Sequence, residues 1–355
     1  MRPRSQAFLQ RLLDAPGPSG FETGPARVWR EEAETFADRV STDISGNSIA
    51  AMTPDTAPRV MFAGHIDEIG LMIVHVDDDG YLHFSTIGGW DAQVLVGQRV
   101  HLMTTKGPLD GVIGKRAIHL IKQEERERPS KVTDLWIDIG AKSKADALRR
   151  VRIGDPAVLA AEAIELPNRR LVSRSIDNRI GAFVVLEALR ALSRRRPKAG
   201  CFAVATTQEE IAWTGGGART SAAGIDPQVA IVVDVTHATD HPNVEKKEHG
   251  DVRLGGGPVL SRGSAVNPVV FEMLVETAEA ENIPYSIQAA PKDTGTDADA
   301  IHLAQHGIPT GLVSVPNRYM HSPNEMVDLA DLERAAKLLA GFARRVTPTV
   351  DFTPR

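Results

Sequence analysis

The sequence predicts an α/β fold with a mostly parallel sheet, interrupted by an inserted small β module. Two observations predict it. Helical and strand-like segments alternate at both ends of the chain, which implies a largely parallel sheet. Between about Leu71 and Ala163 the texture changes to short β-like runs broken by Asp-Gly and Gly-Pro turns.

In chain order, apolar spacing from Phe8 to Leu13 and from Ala26 to Phe36 suits two amphipathic helices separated by Pro and Gly. The first lacks the continuous apolar stretch of a signal peptide. "RVMFAGHIDEIG" reads as a buried strand, Val60 to Ala63, that breaks at Gly64 into a loop presenting His65, Asp67 and Glu68. The runs "GLMIVHVDDDGYLHFSTIGG", "QRVHLMTTKGPLDGVIG" and "RIGDPAVLA" form the β module, in which only "SKADALRRV" is helical in pattern. After Arg174, "GAFVVLEALRAL" and "PVVFEMLVETAEAE" read as helices, and "CFAVATT" and "VAIVVDV" as buried strands. The α/β domain therefore spans residues 1–70 and 164–355, with 71–163 inserted.

Composition narrows the function. A net charge of −5 with mixed signs offers no basic stripe for nucleic acid and no polybasic run for anionic lipid. The apolar runs are too short to span a bilayer. Cys201 stands alone in "GCFAVATT", so no intramolecular disulfide can form, and it reads as a small buried strand residue. These features point to a cytoplasmic globular enzyme.

Metal-ligating side chains recur at the ends of predicted strands: His65, Asp177, Glu209, Glu210, Asp234 and His321. In open α/β sheets the carboxyl ends of the strands meet at one crevice, so residues distant in sequence can converge there. Two imidazoles with several carboxylates suit zinc, cobalt or manganese. Other groups read differently. His75, His83, His101 and His119 lie in the β module without a second ligand at metal-site spacing and read as structural or surface groups. His237, His241 and His249 fall in a polar loop after Asp234, where they could overhang the cleft, though solvation is the favoured reading. "GGGP" and "TGGGA" lack the marks of a phosphate or dinucleotide loop. Ser173 and Ser175 are in no nucleophile elbow.

The ordered motifs "GHIDEIG", "GGWDAQVLVGQRV", "SIDNRIG", "QEE", "VVDVTHATD", "GTDADAIH" and "RYMHSPNE" resemble the M42 family of metallo-aminopeptidases from about Phe8 to Ala340. The resemblance implies a zinc-peptidase-like catalytic domain carrying a small β-barrel-like insertion that serves in dimerisation or as a lid. It implies two divalent metal ions per subunit, zinc or cobalt first and manganese third. Asp177 would bridge them, with His65 and Asp234 completing one position and Glu210 and His321 the other. Glu209 would be general base on the attacking water held there, and Asp67 would orient His65. Relatives in the wider clan lead us to expect a cis or otherwise unusual Asp177–Asn178 peptide. Asp297 falls in a matching block and receives no catalytic step.

The implied activity is removal of the N-terminal residue from short peptides, by a homo-oligomer built of dimers, up to a tetrahedral dodecamer. The chain departs from the family where "EEIAWTGGGA" replaces a turn shorter by two residues, with Ala212 for a Gly and an added Trp213. Trp213 could pack internally or wall the pocket beside Glu209. A metal-dependent amidohydrolase acting on a non-peptide amide would use the same groups. Glycoside hydrolysis by Glu209 and Glu210 fits poorly, because carboxyls adjacent in sequence seldom flank a sugar bond.

Overall fold

The computed structural model describes residues 1–123, 126–211 and 216–355. Ala212 and Trp213 lie outside the described residues. Helices α1 (Pro3–Asp14) and α2 (Thr23–Ala33) lead into β1 (Arg39–Thr42), β2 (Ser48–Met52) and β3 (Arg59–His65). Next come β4 (Gly70–Val76), β5 (Leu82–Ile87), α3 (Ala92–Leu95), β6 (Arg99–Thr104), β7 (Gly107–Lys115), β8 (Leu135–Asp138), α4 (Lys144–Leu148) and β9 (Pro156–Leu159). The chain returns through β10 (Ile164–Leu166) and β11 (Arg170–Ser173) to α5 (Ile176–Arg194), β12 (Gly200–Thr206), α6 (Gly216–Ile225), β13 (Val229–His237) and α7 (Lys246–His249). It ends with β14 (Val259–Arg262), α8 (Pro268–Ala280), β15 (Ser286–Ala289), α9 (Asp297–Ile301), β16 (Thr310–Asn317), β17 (Glu325–Asp328) and α10 (Leu329–Arg345).

The main sheet has the order β1-β2-β12-β3-β13-β16-β14-β15. Its four central strands, β12, β3, β13 and β16, are mutually parallel and buried almost throughout. Buried parallel strands read as continuous apolar runs, which is why "VAIVVDV" and "CFAVAT" were visible in sequence. The flanks are mixed: β1, β2 and β14 run antiparallel to their inner neighbours. Thus the sheet is parallel at its centre and mixed at its edges.

Strands β4 to β9 close into an antiparallel barrel in the order β4-β5-β8-β7-β6-β9. It has its own core, including Leu71, Ile73, Leu102 and Ile137. Three of its imidazoles have local partners: His101 faces Asp110 at 2.7 Å, His83 faces Asp77 at 3.5 Å, and His75 meets the His83 ring.

Helix α5 is buried on nearly every side, as expected of a helix apolar all round. Its first turn runs against β3. A Cβ on Gly64 would stand 2.5 Å from the Gly181 carbonyl carbon, and one on Gly181 would stand 2.7 Å from the Val233 oxygen. Two glycines therefore let helix and sheet touch backbone to backbone. The expected break at Gly64 does not occur. β3 continues through it, so His65 is a strand residue rather than a loop residue.

Candidate metal centre

Strands β3, β12 and β13, the β16–β17 connection and helix α5 deliver the site. His65 is the last residue of β3, Asp234 lies near the end of β13, and Glu209 and Glu210 follow β12. Asp177 opens α5, and His321 sits between β16 and β17. Register explains the convergence, because Thr206 at the end of β12 pairs with His65, and β13 lies on the other side of β3.

The Asp177 carboxylate stands between two imidazoles. Its Oδ1 is 3.2 Å from His65 Nε2, and its Oδ2 is 3.5 Å from His321 Nε2. His65 Nε2 also faces Glu209 Oε2 at 3.7 Å and Asp234 Oδ1 at 3.9 Å, while His321 Nε2 faces Glu210 Oε2 at 3.4 Å. All six side chains that sequence placed at strand ends therefore meet. The Asp177–Asn178 peptide is cis. Asn178 Nδ2 donates to the Val233 carbonyl and its Oδ1 accepts from Gly181 N–H, fixing the start of the regular helix.

Asp67 lies beneath the pair of glutamates. Its Oδ1 accepts the Glu209 N–H at 3.2 Å, and its Oδ2 accepts the Glu210 N–H at 3.2 Å and the Ser19 hydroxyl at 2.6 Å. It approaches His65 Nδ1 only at 3.5 Å, so its well-made bonds are to the glutamate turn.

Charge shows what the cluster can hold. Burial raises Glu209 to about 10, helped by Asp234, Asp297 and Glu210 against His65. Burial likewise raises Asp234 and Glu210, each with the Asp177 charge adding to it. For Asp177 burial acts upward too, yet the His321 and His65 imidazoles outweigh it and hold the acid well below the usual range. Burial lowers His321, but Asp177 and Glu210 prevail and push it up to about 11. Asp177, Glu209, Glu210 and Asp234 thus crowd two imidazoles, an arrangement that cations relieve.

The donors fit divalent ions. Single ligand atoms of His65, Asp177 and Glu210 lie within 4.8 Å of one another, as do those of His65, Glu209 and Asp234. Glu210 Oε1 is buried with no hydrogen-bond partner. Imidazole nitrogen with carboxylate oxygen is a donor set for borderline metals. Glu209, expected as a base, also lies within reach of one candidate position.

Residues 46–338 match the profile of the family described as M42 glutamyl aminopeptidase. The chain belongs to the M42 family. Among M42 relatives, a lysyl aminopeptidase of Pyrococcus furiosus is 35% identical over 351 residues, covering 98% of this chain and 99% of that one. The crystal structure of a TET aminopeptidase from a marine sediment thaumarchaeon superposes with a TM-score of 0.92 at 34% identity, covering 97% of each chain. The Pyrococcus horikoshii TET1 peptidase, described as assembling into a tetrahedron or a large octahedral shell, superposes with a TM-score of 0.85 at 33% identity, covering 96% of this chain and all of that one. With family, fold and donor set in agreement, the M42 chain carries the dinuclear site of a metal-dependent aminopeptidase.

Several M42 site supports escaped sequence reasoning. Glu325 Oε2 accepts the Asp177 N–H at 2.9 Å, and its Oε1 accepts the His321 N–H at 2.8 Å. His321 has a left-handed backbone, φ 58°, that this grip maintains. Glu22 accepts the N–H of Gln208, also left-handed at φ 61°, just before the glutamate pair. The available signal for Glu325 was an acid closing the quoted His321 motif. His237, expected in a loop, is instead the exposed last residue of β13 and lines the same cleft, one of the two places the sequence allowed it. Asp297 is buried beneath the site and accepts the Thr206 hydroxyl at 2.5 Å. Cys201 is buried in β12, as expected. Among the described residues no helix is long and apolar enough to cross a membrane.

Proposed function

We propose that the protein removes the N-terminal residue from short peptides, using two divalent ions. The observation that carries this reading is the Asp177 carboxylate, each oxygen of which faces a different imidazole, at 3.2 and 3.5 Å. On this reading His65, Asp234 and Asp177 would hold one ion, and Glu210, His321 and Asp177 the second. Zinc or cobalt, then manganese, suit these donors. Two such ions, when bound, supply a lowered water pKa and a polarised scissile carbonyl.

The remaining work falls to the chain. Glu209 takes a proton from the attacking water and returns it to the leaving amine. Its place beside the site supports that role, with Oε2 at 3.7 Å from His65 Nε2 and within reach of the His65–Asp234 position. Asp67 acts as a positioning residue, holding Glu209 and Glu210 by their backbone N–H groups and facing the rear of His65.

Two wider readings accompany this one. Residues 71–163 form an inserted domain within a catalytic domain of 1–70 and 164–355, and the barrel's separate core supports that division. The resemblance to a peptidase that builds tetrahedral and octahedral shells supports a homo-oligomer built from dimers, in which the barrel serves in dimerisation or as a lid. A lone buried cysteine agrees with a cytoplasmic location.

The test is chelation followed by reconstitution. Exhaustive metal removal is expected to abolish hydrolysis of a free-amine dipeptide, and zinc, cobalt or manganese to restore it. Undiminished activity after removal sinks the proposal, and preference for an N-acetylated substrate turns it toward an amidohydrolase.

A further inference from the structure

Beside the metal centre the cleft extends over the outer strands of the sheet, enclosing about 540 Å³. Its floor follows from register. Ser314 of β16 pairs with Asp234 of β13, Val259 of β14 pairs with Ser314, and Ser261 of β14 pairs with Gln288 of β15. Paired residues, and residues two apart, share a sheet face. Asp234, Thr236, Leu312, Ser314, Ser261 and Gln288 therefore share one face, and all six line the cleft.

Beyond Asp234, which the metal centre occupies, the other five residues of this face carry hydroxyl, amide and aliphatic groups and no charge, and His237 lines the cleft at the end of β13. Thr236 Oγ1 donates to Gln288 Oε1 at 2.9 Å, tying the edge strand to the site strand across the cleft. One wall is the segment 291–296, fixed by Asp299, whose carboxylate accepts the Thr294 and Gly295 N–H groups at 2.8 to 3.0 Å. The charges on that wall, Lys292 and Asp293, are exposed neighbours of opposite sign, so the rim adds no net charge.

Resting on the aminopeptidase reading, we propose that this cleft receives the substrate's N-terminal side chain and selects uncharged residues over both acidic and basic ones. The physical ground is desolvation. A side-chain charge entering the floor leaves water without an opposite charge to meet it. A neutral side chain of moderate size finds apolar contact at Leu312 and hydrogen-bonding partners at Ser261, Ser314 and Gln288.

The experiment is kcat/KM of the metal-reconstituted full chain on Leu, Met, Ser, Glu and Lys p-nitroanilides. The leucine, methionine or serine substrate is expected to exceed both the glutamyl and lysyl substrates by at least about tenfold. A glutamyl or lysyl substrate matching or exceeding the neutral ones overturns the proposal while leaving the aminopeptidase reading intact. Hydrolysis of none of the five overturns both. Gln288→Glu keeps an acceptor for Thr236 and adds one negative charge to the floor. It is expected to raise the lysyl-to-leucyl ratio at least about tenfold. An unchanged ratio places the side-chain pocket elsewhere and overturns the assignment.

Discussion

Glu325 grips Asp177 by its backbone: the Asp177 N–H donates to Glu325 Oε2 at 2.9 Å, inside the protein. The same carboxylate holds the His321 N–H through Oε1, so one acid sets two prospective ligands. Replacing it disturbs both without removing a metal-facing group. Glu325→Ala is expected to lower metal affinity and kcat by about 10–100-fold. Glu325→Gln, which keeps one acceptor, should fall between it and wild type. Metal titration followed by kinetics measures both effects. Wild-type affinity and kcat in Glu325→Ala would reduce Glu325 to a packing residue.

Glu22 makes stability depend on pH. Burial first, then the Asp67 charge, raises its pKa from an ordinary 4.5 to about 7, against the N–H groups of Gly20 and Gln208. A folded-state pKa above the unfolded one means the folded chain binds more protons between those values. Glu22's contribution is therefore complete below pH about 4.5, declines as pH rises to about 7, and then levels, a loss of roughly 3 kcal/mol from this group. Urea unfolding across that window should show the Glu22→Gln protein with a flatter decline than wild type. Parallel curves would show that Glu22 does not titrate there.

Arg179 anchors the region behind the site. It is fully buried and pairs with Glu68 at 2.7 Å, while donating to the carbonyls of Leu12, Leu13, Ala15, Gly17 and Ile66. Arg179→Met removes a donor from each of those carbonyls, although Leu13 keeps the Ser175 hydroxyl and Gly17 the Glu68 N–H, and it leaves Glu68 with Arg174 at 2.9 Å and the Gly17 N–H at 3.1 Å. A destabilisation of about 3–5 kcal/mol is expected from chemical denaturation. A change below about 1 kcal/mol would mean that the carbonyls find other partners.

How much of this was legible in the sequence follows from how each residue acts. His65, Asp177, Glu209, Glu210, Asp234 and His321 stood out because polar side chains interrupt or end apolar strands, and the structure gathers all six. The central strands stood out because burial on both faces makes them continuous apolar runs. Ser19, Glu22 and Glu325 act instead on Asp67 or on backbone N–H groups distant in the chain, and such service leaves no periodic trace. The strand membership of His237 was hidden because "THATD" has loop composition although β13 continues into it. The path of β3 through Gly64 was hidden because glycine reads as a break, whereas here its missing side chain admits α5.

The central claim is that Asp177 joins two metal ions. Metal content per subunit, measured by plasma mass spectrometry on wild type and Asp177→Asn after equilibration with zinc, tests it most directly. The account predicts two ions in wild type. In the variant it predicts one or none, with turnover reduced at least about a hundredfold. Two ions per subunit and undiminished turnover in Asp177→Asn would contradict it.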